Sequence, residues 1–281
     1  MTNTPDAVVV TGASTGIGKA IVEHLTAKGI RVFAAVRDLS TVDDHPLVTA
    51  VRLDVTSAEE ARAAAATVRR ALNGSRLRGL VNNAGIAIGG PLEFIDLDEF
   101  RRQLEVNVIG QVAVTQAFLP LLREGGAGRI VFTSSIGGRV AAPFIGPYAA
   151  SKHALNGMAE SLRRELMPWK IGVSVLAPAT VATPIWDKAA VEMGEIVDGL
   201  GPEATELYGE AIGSMKGLIG GAKAAGLPPV KIAEAAHHAL FSRRPKAEYI
   251  IGREARTMAL ASTLLPYRAF DKAVQSQMSK G

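Results

Sequence analysis

Short runs of apolar, often β-branched residues alternate along this chain with longer stretches of helical spacing, and no other feature constrains its fold as much. The strand-like runs fall at 7–10, 31–36, 48–53, 79–81, 129–133, 172–176 and 248–251. Most are apolar at nearly every position rather than at every second one, as in strands buried on both faces of a parallel sheet. Helical patterns occupy 18–28, 58–72, 98–123, 148–166, 230–241 and 255–265. Strands alternating with helices predict βαβ units and an α/β, doubly wound parallel sheet. With 281 residues, no repeat and no linker, the chain reads as one domain, 1–281. The stretch 184–229 carries no strand pattern, is rich in Gly and Ala, and includes the weakly patterned Gly217-Leu218-Ile219-Gly220-Gly221. A long insertion late in an α/β domain is expected to be a substrate lid.

Composition removes several function classes. The chain has no cysteine, so disulfides, thiolate nucleophiles and cysteine-based zinc sites are excluded together, and a reducing cytoplasmic location is expected. Its paired arginines (Arg69–Arg70, Arg101–Arg102, Arg163–Arg164, Arg243–Arg244) are scattered, and the net charge is +4. No basic stripe marks a nucleic-acid partner. Residues 1–6 are polar and lack a basic n-region, so no secretory signal is read there. No uninterrupted apolar run reaches the ~18 residues of a spanning helix. The five histidines show no metal-ligand pairing, and no metal is expected.

Between the first strand and first helix lies Thr11-Gly12-Ala13-Ser14-Thr15-Gly16-Ile17-Gly18. A dinucleotide site wants glycines there, so that the backbone approaches a pyrophosphate at the helix N-terminus. A phosphate-binding P-loop is excluded, because Ala13 and Ala20 stand where its first Gly and its hydroxyl belong. Gly12 to Gly16 also spells G-x-S-x-G, the nucleophile elbow of serine hydrolases. No oxyanion-loop motif precedes Ser14, which weighs against that use. A plain tight turn is the third reading.

Tyr148 and Lys152 are four residues apart at the start of a helical pattern, so both can serve one site. A phenol acting as a proton-transfer group near pH 7 needs its pKa lowered by roughly 3 units, about 4 kcal/mol. A lysine cation ~5 Å away at an effective dielectric of ~20 supplies about 3 kcal/mol. On these residues together the chain resembles the short-chain dehydrogenase/reductase family in its short single-domain form. The resemblance rests on T-G-x-x-x-G-x-G at 11–18, Asn82-Asn83-Ala84-Gly85, Asn107, Ser135 lying 13 residues before Tyr148, and Tyr148 with Lys152. It runs in order and spacing over roughly 7–183, and implies a Rossmann fold and a nicotinamide cofactor.

What the resemblance implies can be carried over residue by residue. Tyr148 would be the general acid/base, Lys152 would lower its pKa and hold the nicotinamide ribose, Ser135 would bond the substrate oxygen, and Asn107 would anchor a water relay to Lys152. Ser134 is rejected in favour of Ser135, because adjacent strand residues face opposite sides. Gly12, Ser14, Thr15, Gly16, Ile17 and Gly18 would cradle the pyrophosphate. Asp54 and Val55 would meet the adenine, Asn83, Ala84 and Gly85 would border the ribose, and Pro178, Val181 and Thr183 would contact the nicotinamide end. The family usually has Gly where Ala179 stands, which puts the geometry of that last loop in question.

The second strand ends Val36-Arg37-Asp38. An acid at the strand end favours a free ribose diol and an arginine favours a 2′-phosphate, so Arg37 points to NADP, with NAD the alternative. Thr15, where NADP-using members often carry a basic residue, adds no support. Softer likeness, at the second strand, at 135–138 and at 265–268, is to the hydroxysteroid and retinol dehydrogenase branch. Ile86, Ile88, Ile136, Phe144, Ile145, Ile185 and Trp186 form an apolar set suited to a hydrophobic alcohol or carbonyl substrate. Family habit implies a homodimer or homotetramer. Two other classes stay open: a non-catalytic dinucleotide-binding regulator on the same fold, and the Ser14 hydrolase.

Overall fold

The computed structural model describes residues 6–185, 191, 194 and 201–278. Its centre is a seven-stranded sheet: β1 (Ala7–Thr11), β2 (Arg31–Val36), β3 (Val48–Arg52), β4 (Leu77–Asn82), β5 (Arg129–Thr133), β6 (Gly172–Pro178) and β7 (Glu248–Ile251). The strands lie in the order β3-β2-β1-β4-β5-β6-β7, and every neighbouring pair is parallel. The period-two alternation of a strand divides the core between the two faces. Ala7 and Val9 pack on one side with Phe33, Leu80, Phe118 and Phe132. Val8 and Val10 pack on the other with Ile21, Val32, Leu176 and Leu240. The Rossmann-type doubly wound architecture is therefore present, with its strand order reversing between β1 and β4. Loops after those two strands border the crevice where such sheets bind ligands.

The helices are α1 (Gly16–Thr26), α2 (Ala58–Leu72), α3 (Leu97–Leu104), α4 (Gly110–Glu124), α5 (Gly146–Glu165), α6 (Pro202–Ala225), α7 (Pro229–Phe241), α8 (Arg253–Leu264) and α9 (Tyr267–Met278). In α2, Ser57 caps the N-terminus by accepting from Glu60 N at 3.1 Å. Asn73 ends it in the left-handed conformation, and Ala61, Ala64, Ala65, Val68 and Leu72 make its buried stripe.

Three expectations need correction. The helix expected over 98–123 is two helices joined by a wider π-type turn, Glu105–Ile109. The weakly patterned 217–221, within the stretch 184–229, falls inside the helix α6, and α9 was not expected at all. The continuous helical run Leu97–Glu124 is also long and apolar enough, on length and composition alone, to cross a membrane. It is a core helix instead: Val114, Phe118, Leu121 and Leu122 are buried in the cluster that contains α2.

The chain leaves the sheet after β6 and returns before α7 at one point. Val181 and Leu227 form a parallel bridge, with Ala182 N donating to Leu227 O at 3.0 Å and Leu227 N to Thr180 O at 2.9 Å. Within this excursion Tyr208 of α6 packs edge-on against Phe94 and Phe144, with centroids 5.9 and 6.1 Å away. Its hydroxyl donates to Glu93 Oε2 at 2.8 Å.

Candidate active site

A cleft of about 700 Å³ opens along the C-terminal ends of the strands. One end is built by the glycine turn. Gly12 has φ +62°, and a Cβ there would lie 2.8 Å from Ala84 Cα. At Gly18 a Cβ would sit 2.1 Å from Gly12 O, far inside van der Waals contact. The turn is held from β4: Thr11 Oγ1 accepts from Asn83 N at 2.9 Å and Ala84 N at 3.0 Å. Asn83 Nδ2 donates back to Thr11 O and Gly12 O at 3.1 and 3.2 Å. Ser14, Thr15, Gly16 and Ile17 line the cleft beside it. This backbone cradle at the start of α1 fits a pyrophosphate, and a side chain at Gly12 or Gly18 would push the turn apart against Ala84 or Gly12 O.

Arg37 lines the cleft at the end of β2. Arg52 Nη1 donates to the Arg37 carbonyl. Asp38 is absent from the cleft lining and caps the turn Leu39–Thr41. Its Oδ1 accepts from Ser40 Oγ at 2.7 Å and Ser40 N at 3.0 Å, and those bonds hold its pKa below the usual carboxylate value. Asp54 and Val55 line the adjacent wall. Burial acts to raise the Asp54 pKa, but bonds from Thr56 N and Oγ1, with Arg37 and Arg52 nearby, bring it down overall.

The other end carries Ser135, Tyr148 and Lys152. Ser135 leaves β5, accepts from Gly137 N at 3.0 Å and stands beside the Tyr148 ring, where its hydroxyl acts to lower the phenol's pKa. The neighbouring Ser134 has a buried hydroxyl without a partner among the described residues. Lys152, one turn into α5 from Tyr148, is buried. Its Nζ donates to Thr133 O at 2.9 Å and lies 5.6 Å from the Tyr148 ring centroid. The titration of this pair differs from expectation. Burial pushes the phenol above its ordinary value, against the lowering influence of Ser135, and burial pulls Lys152 down to about 8. Removal from water disfavours the charged form of each group.

Of the remaining expected residues, Asn83, Ala84, Gly85, Pro178, Val181 and Thr183 all line the cleft. Gly18 and Asn107 stand behind its wall. Asn107 is fully buried in the π-type turn. Its Oδ1 accepts from Ile86 N at 2.9 Å, and its Nδ2 donates to Ile86 O and Ser151 Oγ at 3.0 Å each. A Cβ on Gly85 would lie 3.1 Å from Asn107 Oδ1 and 3.7 Å from Lys152 Nζ, so these two groups meet behind one glycine. Of the apolar set, Ile86, Ile88, Ile136, Ile145 and Ile185 line the cleft. Phe144 does not; it packs on Tyr208. Trp186 lies outside the described residues. The described residues lining the cleft include no histidine, so Ser14 has no base of the kind a serine hydrolase needs.

Sequence reading missed two residues here. Gln103 and Gln111 are fully buried, and each bonds the loop that follows β4. Their spacing of four on either side of Asn107 was the available signal.

Comparison with known proteins identifies the family. The chain belongs to the short-chain dehydrogenase family, whose model, described as short chain dehydrogenase, matches residues 6–193. It is an oxidoreductase of CH–OH and C=O groups that uses a nicotinamide cofactor. It is 34% identical to an NADPH-dependent 3-dehydrocapnine reductase of Ornithobacterium rhinotracheale, over 97% of both chains. It is 32% identical to retinol dehydrogenase 5 of Mus musculus, over 94% of this chain and 86% of that one. A short chain dehydrogenase/reductase from Burkholderia phymatum, solved with NAD, superposes with a TM-score of 0.78 at 27% identity, covering 97% of each chain.

Proposed function

We propose that the protein interconverts a hydrophobic alcohol and its carbonyl compound with NADP(H), using Tyr148 as general acid/base. The observation that carries this reading is the convergence of Ser135, Tyr148 and Lys152 at the end of the cleft lined by Ile86, Ile88, Ile136, Ile145 and Ile185. A bound nicotinamide dinucleotide supplies or accepts the hydride.

The chain's own groups do the rest. Ser135 offers a hydroxyl whose oxygen already accepts from Gly137 N, so its proton would be the part that turns to a substrate oxygen and steadies negative charge there. Tyr148 gives a proton to that oxygen in reduction and takes one in oxidation. Lys152 is held by Thr133 O beside the phenol, where a positive charge favours the phenolate and so works against the burial that raises its pKa. Gly12 to Gly18 would hold the pyrophosphate, Asp54 and Val55 the adenine, and Arg37 the 2′-phosphate. The NADP preference rests on Arg37 facing the cleft while Asp38 is tied to Ser40. The 3-dehydrocapnine reductase relative is NADPH-dependent by name, which agrees.

Parallel titrations with NADPH and NADH, followed by a screen of apolar ketones, aldehydes and alcohols, test the reading. NADPH should bind more tightly, and Tyr148→Phe should keep that binding while losing turnover. Unchanged turnover in Tyr148→Phe would sink the mechanism, and binding of neither cofactor the whole proposal.

A further inference from the structure

Three buried amides stand four residues apart across the junction of α3 and α4, and all three hold the same loop. Gln103 Oε1 accepts from Ile88 N at 2.7 Å, and its Nε2 donates to Ile86 O at 2.9 Å. Asn107 bonds both Ile86 N and Ile86 O. Gln111 Nε2 donates to Ala84 O at 2.9 Å. On a regular helix residues i, i+4 and i+8 drift steadily around the axis. The π-type turn Glu105–Ile109 falls between the outer two and accommodates that drift. Loop backbone withdrawn from water needs partners, and the half-buried residues 84–87 with buried Ile88 find them in these side chains rather than in a strand.

The loop joins the two ends of the cleft. Ala84 abuts Gly12 of the glycine turn, and Ile86 and Ile88 line the cleft. Two residues past Ile88, Gly90 N donates to Phe144 O at 2.7 Å, close in sequence to Tyr148. We infer that the amide row positions this loop for two ligands at once, with Gln103 setting the substrate wall and Gln111 setting the cofactor wall. Neither glutamine lines the cleft itself; both act through the loop backbone, as positioning residues. The inference rests on the function proposed above, because it assigns substrate to the Ile86–Ile88 end and cofactor to the Ala84 end.

Gln103→Met and Gln111→Met, which keep the length of the side chain and remove the amide, separate the two effects in the full-length protein. In Gln103→Met, KM for an apolar carbonyl substrate should rise about tenfold, with kcat and the NADPH dissociation constant within about twofold of wild type. In Gln111→Met the NADPH dissociation constant should rise by about the same factor, with KM at saturating NADPH little changed. Equal losses of both affinities in both variants would overturn the inference and leave only a structural role. Should either variant fail to fold, amide hydrogen exchange in the wild type decides. The Ile88 N–H should exchange as slowly as the amides of β4, and fast exchange there would overturn the clamp. Wild-type protein that binds no nicotinamide cofactor would overturn the functional reading itself. Normal binding and turnover with unaltered KM in Gln103→Met would overturn this inference alone.

Discussion

At the scale of single residues, the active end of the cleft is a problem in desolvation. Lys152 has a folded pKa of about 8 against an ordinary 10.5, so between these values the unfolded chain binds more protons than the folded one. Stability therefore rises with pH across that window. Below pH 8 the full cost, about 3 kcal/mol by the linkage relation, is present. Lys152→Met should remove it. At pH 7 the variant should unfold at a temperature equal to or above that of wild type, and its curve should lack the gain between pH 8 and 10.5. Its turnover should nonetheless fall by about 10²-fold or more. Tyr148→Phe should lose about 10²–10⁴-fold in kcat with NADPH binding intact, as read by fluorescence titration. For Arg37→Ala, loss of a charge-assisted contact should weaken NADPH by about tenfold or more and leave NADH nearly unchanged. The same titration checks it.

At the scale of elements, legibility followed from how directly burial is written into residue type. Strands such as Val8-Val9-Val10 are apolar on both faces because helices cover both faces, and their shortness and β-branched residues set them apart from a buried helix. Tyr148 with Lys152, and the glycine turn, stood out because few chemistries need those residues at those spacings. The amides at 103, 107 and 111 did not, because a Gln on a helix looks the same in sequence whether it is solvated or holds a buried loop. The π-type turn was equally invisible, since it adjusts register and needs no special composition. Helix α6 was missed because its Gly and Ala content weakens the apolar period. What anchors α6 is lateral: Tyr208 against Phe94, Phe144 and Glu93. Tyr208→Ala removes two edge-to-face contacts worth about 0.5–1.5 kcal/mol each. Limited proteolysis should then cut faster within 202–225 than in wild type, while sites in the sheet stay protected.

At the scale of the whole molecule, the proposed cofactor site would couple ligand to fold through the glycine turn. Any ligand that binds only the folded state stabilises it by mass action, by about 2.7 kcal/mol at a concentration one hundred times its dissociation constant. For a chain of this size that corresponds to a rise of roughly 5–10 °C in Tm, measurable by calorimetry with and without NADPH. Gly18→Ala places a methyl group against Gly12 O and should abolish the rise.

The bridge between Val181 and Leu227 has a consequence for how such a chain diversifies. Both ends of the excursion from the sheet are fastened at one spot by backbone bonds and by Val181 and Leu227 packing into the same core cluster. Changes of sequence or length that leave those two positions alone should therefore not disturb the sheet. On the function proposed above, such changes would alter what the cleft accepts while Ser135, Tyr148 and Lys152 keep their places.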